Sequence, residues 1–398
     1  MKLSSKIQRC GLSPMRQFYP REMAAKARGV RIHHLNIGQP DVETPQAFFD
    51  AVRDFDAPVV AYPPAPGEER YVEALRTYYA GMGCSLERED ILATFGGSEA
   101  LEIAMACILD EGDEVLVPEP FYPNYTTFIN VTGGRIRPIP TSPEEGYFGS
   151  RERIEPLINH RTRAILVATP GNPTGVVLSE EEMRLLADIA RERDLFLISD
   201  EVYREIVYTG EKATMLALSG AEENVVIIDS VSKRFSTTGA RVGALISRNR
   251  ELMAQAMKWA QGRLCITALD QTGAARMYET LGEDYFSSVR EEYRIRTEAA
   301  VAALEEIPGV RFTSPQGAFY LMAALPVDDT EKLQYFLLDE FQDRGETMMY
   351  APGAGFYADP EQGRDKIRLA CVKNAAELTR AIELLGLGIA AYHRKNGN

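Results

Sequence analysis

The chain is predicted to be an α/β protein, with a mostly parallel buried sheet and a second, smaller α+β domain built from its C-terminal part. Three observations predict this. Short β-rich apolar runs alternate with helical patterns from about residue 90 to 248. The runs are too continuously apolar for a sheet with one wet face. After residue 248 the rhythm changes to long helical patterns followed by isolated strand-like runs, and no internal repeat suggests a solenoid.

The elements follow in order. I-L-A-T (91–94) reads as a strand, S-E-A-L-E-I-A-M-A-C-I-L-D-E-G as a helix and E-V-L-V (114–117) as the next strand. A-I-L-V-A-T (164–169) runs into the turn P-G-N-P-T-G, after which S-E-E-E opens a crossover helix with Ser179 and Glu182 at capping-box spacing. L-F-L-I-S (195–199), V-V-I-I-D (225–229) and V-G-A-L-I-S (242–247) are further buried strands. Residues 270–306 read as long helices, G-A-F-Y-L-M (317–322) and K-I-R-L-A-C-V (366–372) as strands of the second domain, and A-E-L-T-R-A-I-E-L-L (376–385) as its closing helix.

Composition narrows the function. At 398 residues and 45% hydrophobic, the chain has material for two buried cores. A net charge of -14 argues against nucleic acid or an anionic membrane as partner. The first thirty residues mix Lys, Arg, Glu and Pro without an apolar core, so neither a secretory signal nor a membrane anchor is expected, and a cytoplasmic location is. Cys10, Cys84, Cys107, Cys265 and Cys371 are scattered and lack C-x-x-C spacing, which fits neither a disulfide framework nor a zinc site. No metal is expected.

Ligands of open α/β sheets bind at the carboxyl ends of the strands, so the residues just beyond each apolar run carry most weight. After I-L-A-T comes F-G-G-S-E-A, where Gly97 and Ser98 begin a helix whose free N–H groups suit a phosphate; alone, the segment reads equally as a turn and N-cap. Asn172 sits in a Pro-flanked loop that is either an amide holder or a plain turn. Asp200, in D-E-V-Y with Tyr203, ends a buried strand, so its charge needs a cation or donors, unless it only caps a helix.

The stretch S-V-S-K-R-F-S-T-T-G-A-R-V-G (230–243) is the most telling. A lysine at the end of a buried strand loses hydration, which lowers its pKa and makes it a nucleophile able to form a Schiff base. Ser230, Ser232 and Arg241 supply donors for a phosphate, Arg241 as a planar fork. Taken by itself, Lys233 reads first as a snorkelling surface lysine, the commoner fate of a lysine.

Together these segments resemble the class I/II aminotransferases, pyridoxal-phosphate enzymes of fold type I, in order and spacing over nearly the whole chain. The S-x-S-K…G-x-R-x-G pattern around Lys233 is the specific part, supported by N-P-T-G, D-E-x-Y, P-x-P-x-Y and G-G-S-E-A-L. The resemblance implies a large domain with a mostly parallel, seven-stranded-type sheet flanked by helices. It divides the chain into an arm and part of the small domain (1–45), the large cofactor domain (46–280) and the small domain (281–398).

It also implies roles. Lys233 would hold pyridoxal 5'-phosphate as a Schiff base and later shuttle the substrate's proton. Asp200 would keep the ring nitrogen protonated, Tyr203 and Asn172 would hydrogen-bond the phenolic oxygen, and Tyr122 would stack on the ring. Gly97, Ser98, Ser230 and Arg241 would hold the phosphate. Tyr62, in A-Y-P-P-A-P-G, matches a tyrosine that reaches the phosphate of the neighbouring subunit, implying a homodimer with shared sites.

For the substrate, Arg368 would grip the α-carboxylate, with Gly38 and Asn172 beside it. The implied reaction is ping-pong amino transfer from an L-amino acid to a 2-oxo acid such as 2-oxoglutarate. Aspartate, aromatic and aliphatic donors stay open: Ser98 stands where one aspartate-specific group has a lysine, and Arg263 and Arg276 lie where another draws an arginine from the partner. A C–S β-lyase is the alternative chemistry for the same site, and a non-catalytic cofactor-binding effector domain is a third.

Overall fold

A computed structural model describes residues 1–12 and 14–397. Among them, seven strands form the central sheet in the order Ile91–Thr94, Gly243–Ile246, Val225–Ser230, Phe196–Asp200, Thr162–Ala168, Glu114–Glu119, Arg135–Pro140. Gly243–Ile246 is antiparallel to both neighbours, and the other pairings are parallel. The mostly parallel α/β sheet expected from the sequence is therefore present.

Successive residues of a strand face opposite sides. Val225 and Ile227 thus enter one apolar cluster, whereas Val226 and Ile228 enter another across the sheet. Helix Glu180–Glu192 starts as its sequence predicts: Ser179 Oγ accepts from the Glu182 amide at 3.2 Å, and the Glu182 carboxylate accepts from the Ser179 amide at 2.7 Å. Its Met183, Leu186, Ala187 and Ala190 recur at helical spacing and join the cluster that holds Ile227. Burying a side chain the size of Leu186 contributes roughly 2 kcal/mol.

A second, antiparallel sheet runs Ala351–Pro352, Lys366–Ala370, Tyr320–Ala324, Arg311–Phe312. Helices Glu283–Glu305 and Ala375–Asn396 share its apolar cluster through Ala300, Leu304, Leu378 and Leu385. Strand Arg31–His34 pairs in parallel with Glu346–Met349 beside it.

The N-terminal stretch touches both layers. Lys6 Nζ lies 3.3 Å from Glu111 and donates to Thr132 O at 3.0 Å, on the helix layer of the large sheet. The Phe18 ring packs tilted against that of Tyr335, and Arg21 pairs with Asp339 at 3.2 Å, both partners on the helix Thr330–Asp339. No helix among the described residues is long and apolar enough to cross a membrane.

Candidate active site

A cavity of about 400 Å³ opens at the carboxyl ends of the parallel strands. Strand Phe196–Asp200 delivers Asp200 and the turn with Tyr203, strand Val225–Ser230 delivers Ser230 and Lys233, and Thr162–Ala168 leads into Asn172. Its other wall comes from the second sheet, through Tyr320 and Arg368, and from Met15, Arg16 and Gly38 of the N-terminal stretch.

Lys233 lies on the single turn Val231–Arg234, capped by Ser230, whose Oγ accepts from the Ser232 amide at 3.1 Å. Its Nζ donates to the Gly38 carbonyl at 2.8 Å. Burial lowers the amine's pKa; Tyr320 opposes that shift, whereas the guanidinium groups of Arg368 and Arg241 add to it. Desolvation thus favours the uncharged amine, the form a nucleophile needs.

Asp200 is buried and met by two neutral donors, the Tyr125 hydroxyl at 2.8 Å and the Val202 amide at 3.4 Å. Desolvation pushes its carboxyl up to about 6, against the pull of those donors. It precedes a turn rather than a helix, so capping does not account for it. A buried acid without a cationic partner has room for a ligand's protonated nitrogen. The Tyr203 hydroxyl lies 3.0 Å from that of Tyr320, and burial raises its pKa well above the ordinary value.

At one end of the cavity, Gly97 and Ser98 open the helix Gly96–Ile108. Arg241 reaches its start, donating from Nη2 to Phe95 O at 3.2 Å and from Nη1 to Thr238 O at 3.0 Å. Gly96 has φ +73, which favours glycine, and a Cβ there would lie 2.7 Å from Arg241 Nη2 and displace the guanidinium. Arg241 is itself left-handed, at φ +55, a strained setting that recurs at ligand clamps. Free helix N–H groups, a guanidinium and the Ser230 hydroxyl together make an anion cradle.

At the other end, Arg368 is buried at 2% exposure. Its partners are neutral: Asn172 Oδ1 at 3.0 Å, Asn36 O at 2.8 Å and Met15 Sδ at 3.5 Å. Its Nε has no hydrogen-bond partner among the described residues, and the ring centroids of Tyr320 and Phe356 lie 4.4 and 5.1 Å from the guanidinium carbon. A buried guanidinium so placed can take a carboxylate. Gly38 is packed tightly, since a Cβ there would fall 1.8 Å from the Tyr320 hydroxyl oxygen. Tyr122 lines the wall between the two ends, accepts from Asn124 Nδ2 at 2.7 Å and has its hydroxyl pKa pushed up to about 12 by burial.

The cavity thus brings together Gly38, Gly97, Ser98, Tyr122, Asn172, Asp200, Tyr203, Ser230, Lys233, Arg241 and Arg368. Tyr62 is 81% exposed and outside this lining. Arg263 is engaged within its own chain, 3.3 Å from Glu99 and donating to Ala93 O at 3.0 Å. Neither it nor Arg276, on helix Ala268–Thr280, lines the cavity. Sequence reasoning missed Tyr125, Tyr320, Met15 and Arg16. The two tyrosines lie in runs that read as core, and the other two come from a segment without strand or helix periodicity.

The residues fit pyridoxal phosphate on structural grounds: an unpaired buried acid for the ring nitrogen, a desolvated amine and an anion cradle with no carboxylate partner for Arg241 among the described residues. Such a fold and site define the class of enzymes that transform amino acids. Residues 31–385 match the family model described as aminotransferase class I and II, and the chain belongs to that family; it is an aminotransferase. It is 30% identical to the aspartate aminotransferase of Bacillus subtilis, over 96% of this chain and 98% of that one. It is 32% identical to a probable aspartate/prephenate aminotransferase of Thermus aquaticus, over 76% and 79% of the two chains. The solved aspartate aminotransferase from Thermus thermophilus with maleate superposes with a TM-score of 0.89 at 27% identity, covering 98% of this chain and 100% of that one.

Proposed function

We propose that the protein is a pyridoxal-phosphate aminotransferase that takes the amine of a dicarboxylic L-amino acid, aspartate or glutamate, and passes it to a 2-oxo acid such as 2-oxoglutarate in a ping-pong cycle. The observation that carries the reaction is the meeting, across one cavity, of a buried lysine with a buried acid whose side-chain hydrogen bonds, among the described residues, come only from neutral donors. The observation that carries the substrate is charge. Four cations line the cavity, Lys233, Arg241, Arg368 and Arg16, against one acid, Asp200. Lys233 and Arg241 serve the cofactor and Arg368 the α-carboxylate. Arg16 is left for a second carboxylate.

When bound, the cofactor supplies a conjugated cationic ring that accepts the electron pair of the broken Cα–H bond. Asp200 holds the proton on the ring nitrogen. Arg241, Ser230, Ser98 and the helix start at Gly97 bind the phosphate, and Tyr122 covers the ring face. Tyr203 and Asn172 hydrogen-bond the phenolic oxygen. Arg368 orients the amino acid by its α-carboxylate so that Cα–H points at Lys233, whose free amine takes the proton from Cα. Tyr62, 81% exposed on its own chain, would reach the phosphate of a second copy, making a site shared within a homodimer. The division into residues 1–45, 46–280 and 281–398 belongs to the same reading.

The test is a half-reaction screen. Each amino acid is added to the purified, cofactor-loaded protein, and loss of the cofactor's absorbance band is followed. Aspartate and glutamate are expected to react fastest. Net turnover should need an added oxo acid; pyruvate and ammonia released from cystathionine without one would instead indicate a C–S lyase.

Two substitutions separate the arginines. Arg368→Gln should lower kcat/KM for every amino acid by about 10²-fold, because it removes a buried charged contact. Arg16→Gln should raise KM about tenfold for aspartate and glutamate only, with alanine and phenylalanine unaffected.

A further inference from the structure

Behind the cavity floor lies a second set of ionisable groups that the proposed chemistry does not use. Glu201, Arg204, Asp229 and Arg234 are each at most 1% exposed. Each is also the chain neighbour of a residue that lines the cavity: Glu201 follows Asp200, Arg204 follows Tyr203, Asp229 precedes Ser230 and Arg234 follows Lys233.

The four are joined through one carboxylate. Asp229 lies 2.8 Å from Arg204 Nη2 and 3.0 Å from Arg234 Nη2, and accepts from the Tyr79 hydroxyl at 2.5 Å. Arg204 also pairs with Glu201 and donates to the Tyr79 hydroxyl at 2.9 Å. Glu201 in turn accepts from the Met215 amide at 2.9 Å and the Ser199 hydroxyl at 3.1 Å. Arg234 donates to the Tyr278 hydroxyl, and its guanidinium lies 4.5 Å from the Tyr78 ring centroid.

The topology gives these contacts a purpose. Asp200 ends one strand and Asp229 is the last residue but one of the parallel strand beside it, with Asp200 opposite Ile228. Arg204 therefore ties the turn after one strand to the tip of the next, and Arg234 ties the Lys233 turn back to the same tip. Four charges with no net sum, wholly out of water, are a poor way to gain stability, since apolar residues of the same volume serve as well or better. What they supply is a directional set of contacts in one geometry.

We infer that this quartet is a positioning frame, which fixes the Lys233 amine relative to Asp200 without touching the reacting groups. The inference rests on the cofactor reading above. Asp229 and Glu201 also act on the site through space, since both raise the proton affinity of Asp200.

The test uses the cofactor-loaded protein and three variants. In Arg234→Met, the pH midpoint of the absorbance change of the Lys233-bound cofactor should move by about half a unit or more, and kcat should fall by about 10²-fold, the cost of a small misplacement, with KM unchanged. Tyr79→Phe, which removes one hydroxyl from the frame, should shift both readouts in the same direction by less. Leu337→Ala, a cavity in the apolar cluster of the second sheet, should lower Tm and move neither.

Retention of the parent midpoint and kcat in Arg234→Met and Tyr79→Phe, with loss of Tm alone, overturns the frame. So does a shifted midpoint in Leu337→Ala. If Arg234→Met does not fold, Tyr79→Phe decides alone. A parent protein that takes up no pyridoxal phosphate and shows no such band removes the cofactor reading itself, and the frame with it, a failure distinct from the others.

Discussion

Lys233→Ala is expected to give a folded protein whose amino-transfer rate is about 10⁴-fold lower, the upper range for loss of a positioned proton carrier. Among the described residues the side chain's one hydrogen bond is to Gly38 O, and it sits in a cavity rather than in a packed core. Removing a desolvated amine from such a place relieves a cost, so Tm should hold or rise. Borohydride added to the cofactor-loaded parent should fix a pyridoxyl group on the peptide that contains Lys233, seen by mass. The variant should acquire none. A labelled variant, or one with turnover near that of the parent, would end the assignment.

The second large effect concerns Asp200→Asn. With the ring nitrogen no longer held protonated, turnover should fall by about 10³-fold, the scale of losing a preorganised electrostatic contact. Stability of the cofactor-free protein should move the other way. Burial raises the native carboxyl from 3.8 to about 6, so the native state holds this proton more tightly than the unfolded chain does. Between those values the native state binds more protons, and stability falls as pH rises through the window. The full penalty, about 3 kcal/mol, applies above pH 6 and is absent below about pH 4. Asparagine keeps an acceptor for Tyr125 and carries no charge. Urea unfolding of the apoproteins should therefore find the variant more stable at pH 7.5 and equal to the parent near pH 4. A gap independent of pH would show that Asp200 does not titrate there.

Much of the fold and half of the site were legible in the sequence for one reason. A parallel sheet buried on both faces writes itself as continuous apolar runs, and the residues that end those runs must face the ligand crevice. The positions of Asp200, Lys233 and Asn172 are legible this way, whereas their roles, and that of Arg241, come from the family resemblance. On the opposite wall, Arg368 and Gly38 come from the family resemblance alone, and the rest is not legible. Tyr320 sits in a strand that reads as core, and only pairing with Lys366–Ala370 brings its ring against Arg368. Tyr125 lies on the helix Asn124–Thr132 and meets Asp200 from 75 residues away in sequence. Arg16 has no local pattern that marks it; its place depends on contacts made on both sides of it in the chain. Such groups are defined by tertiary packing, which periodicity does not encode.

The doubly moored N-terminal stretch has a mechanical consequence. Lys6 and Arg9 hold to Glu111 beside the large sheet, while Arg21 holds to Asp339 beside the small one. A cord tied at both banks has its midpoint set by the distance between them. Met15 and Arg16 lie between the two moorings and line the cavity, so their place at the entrance answers to ties on both layers rather than to either one.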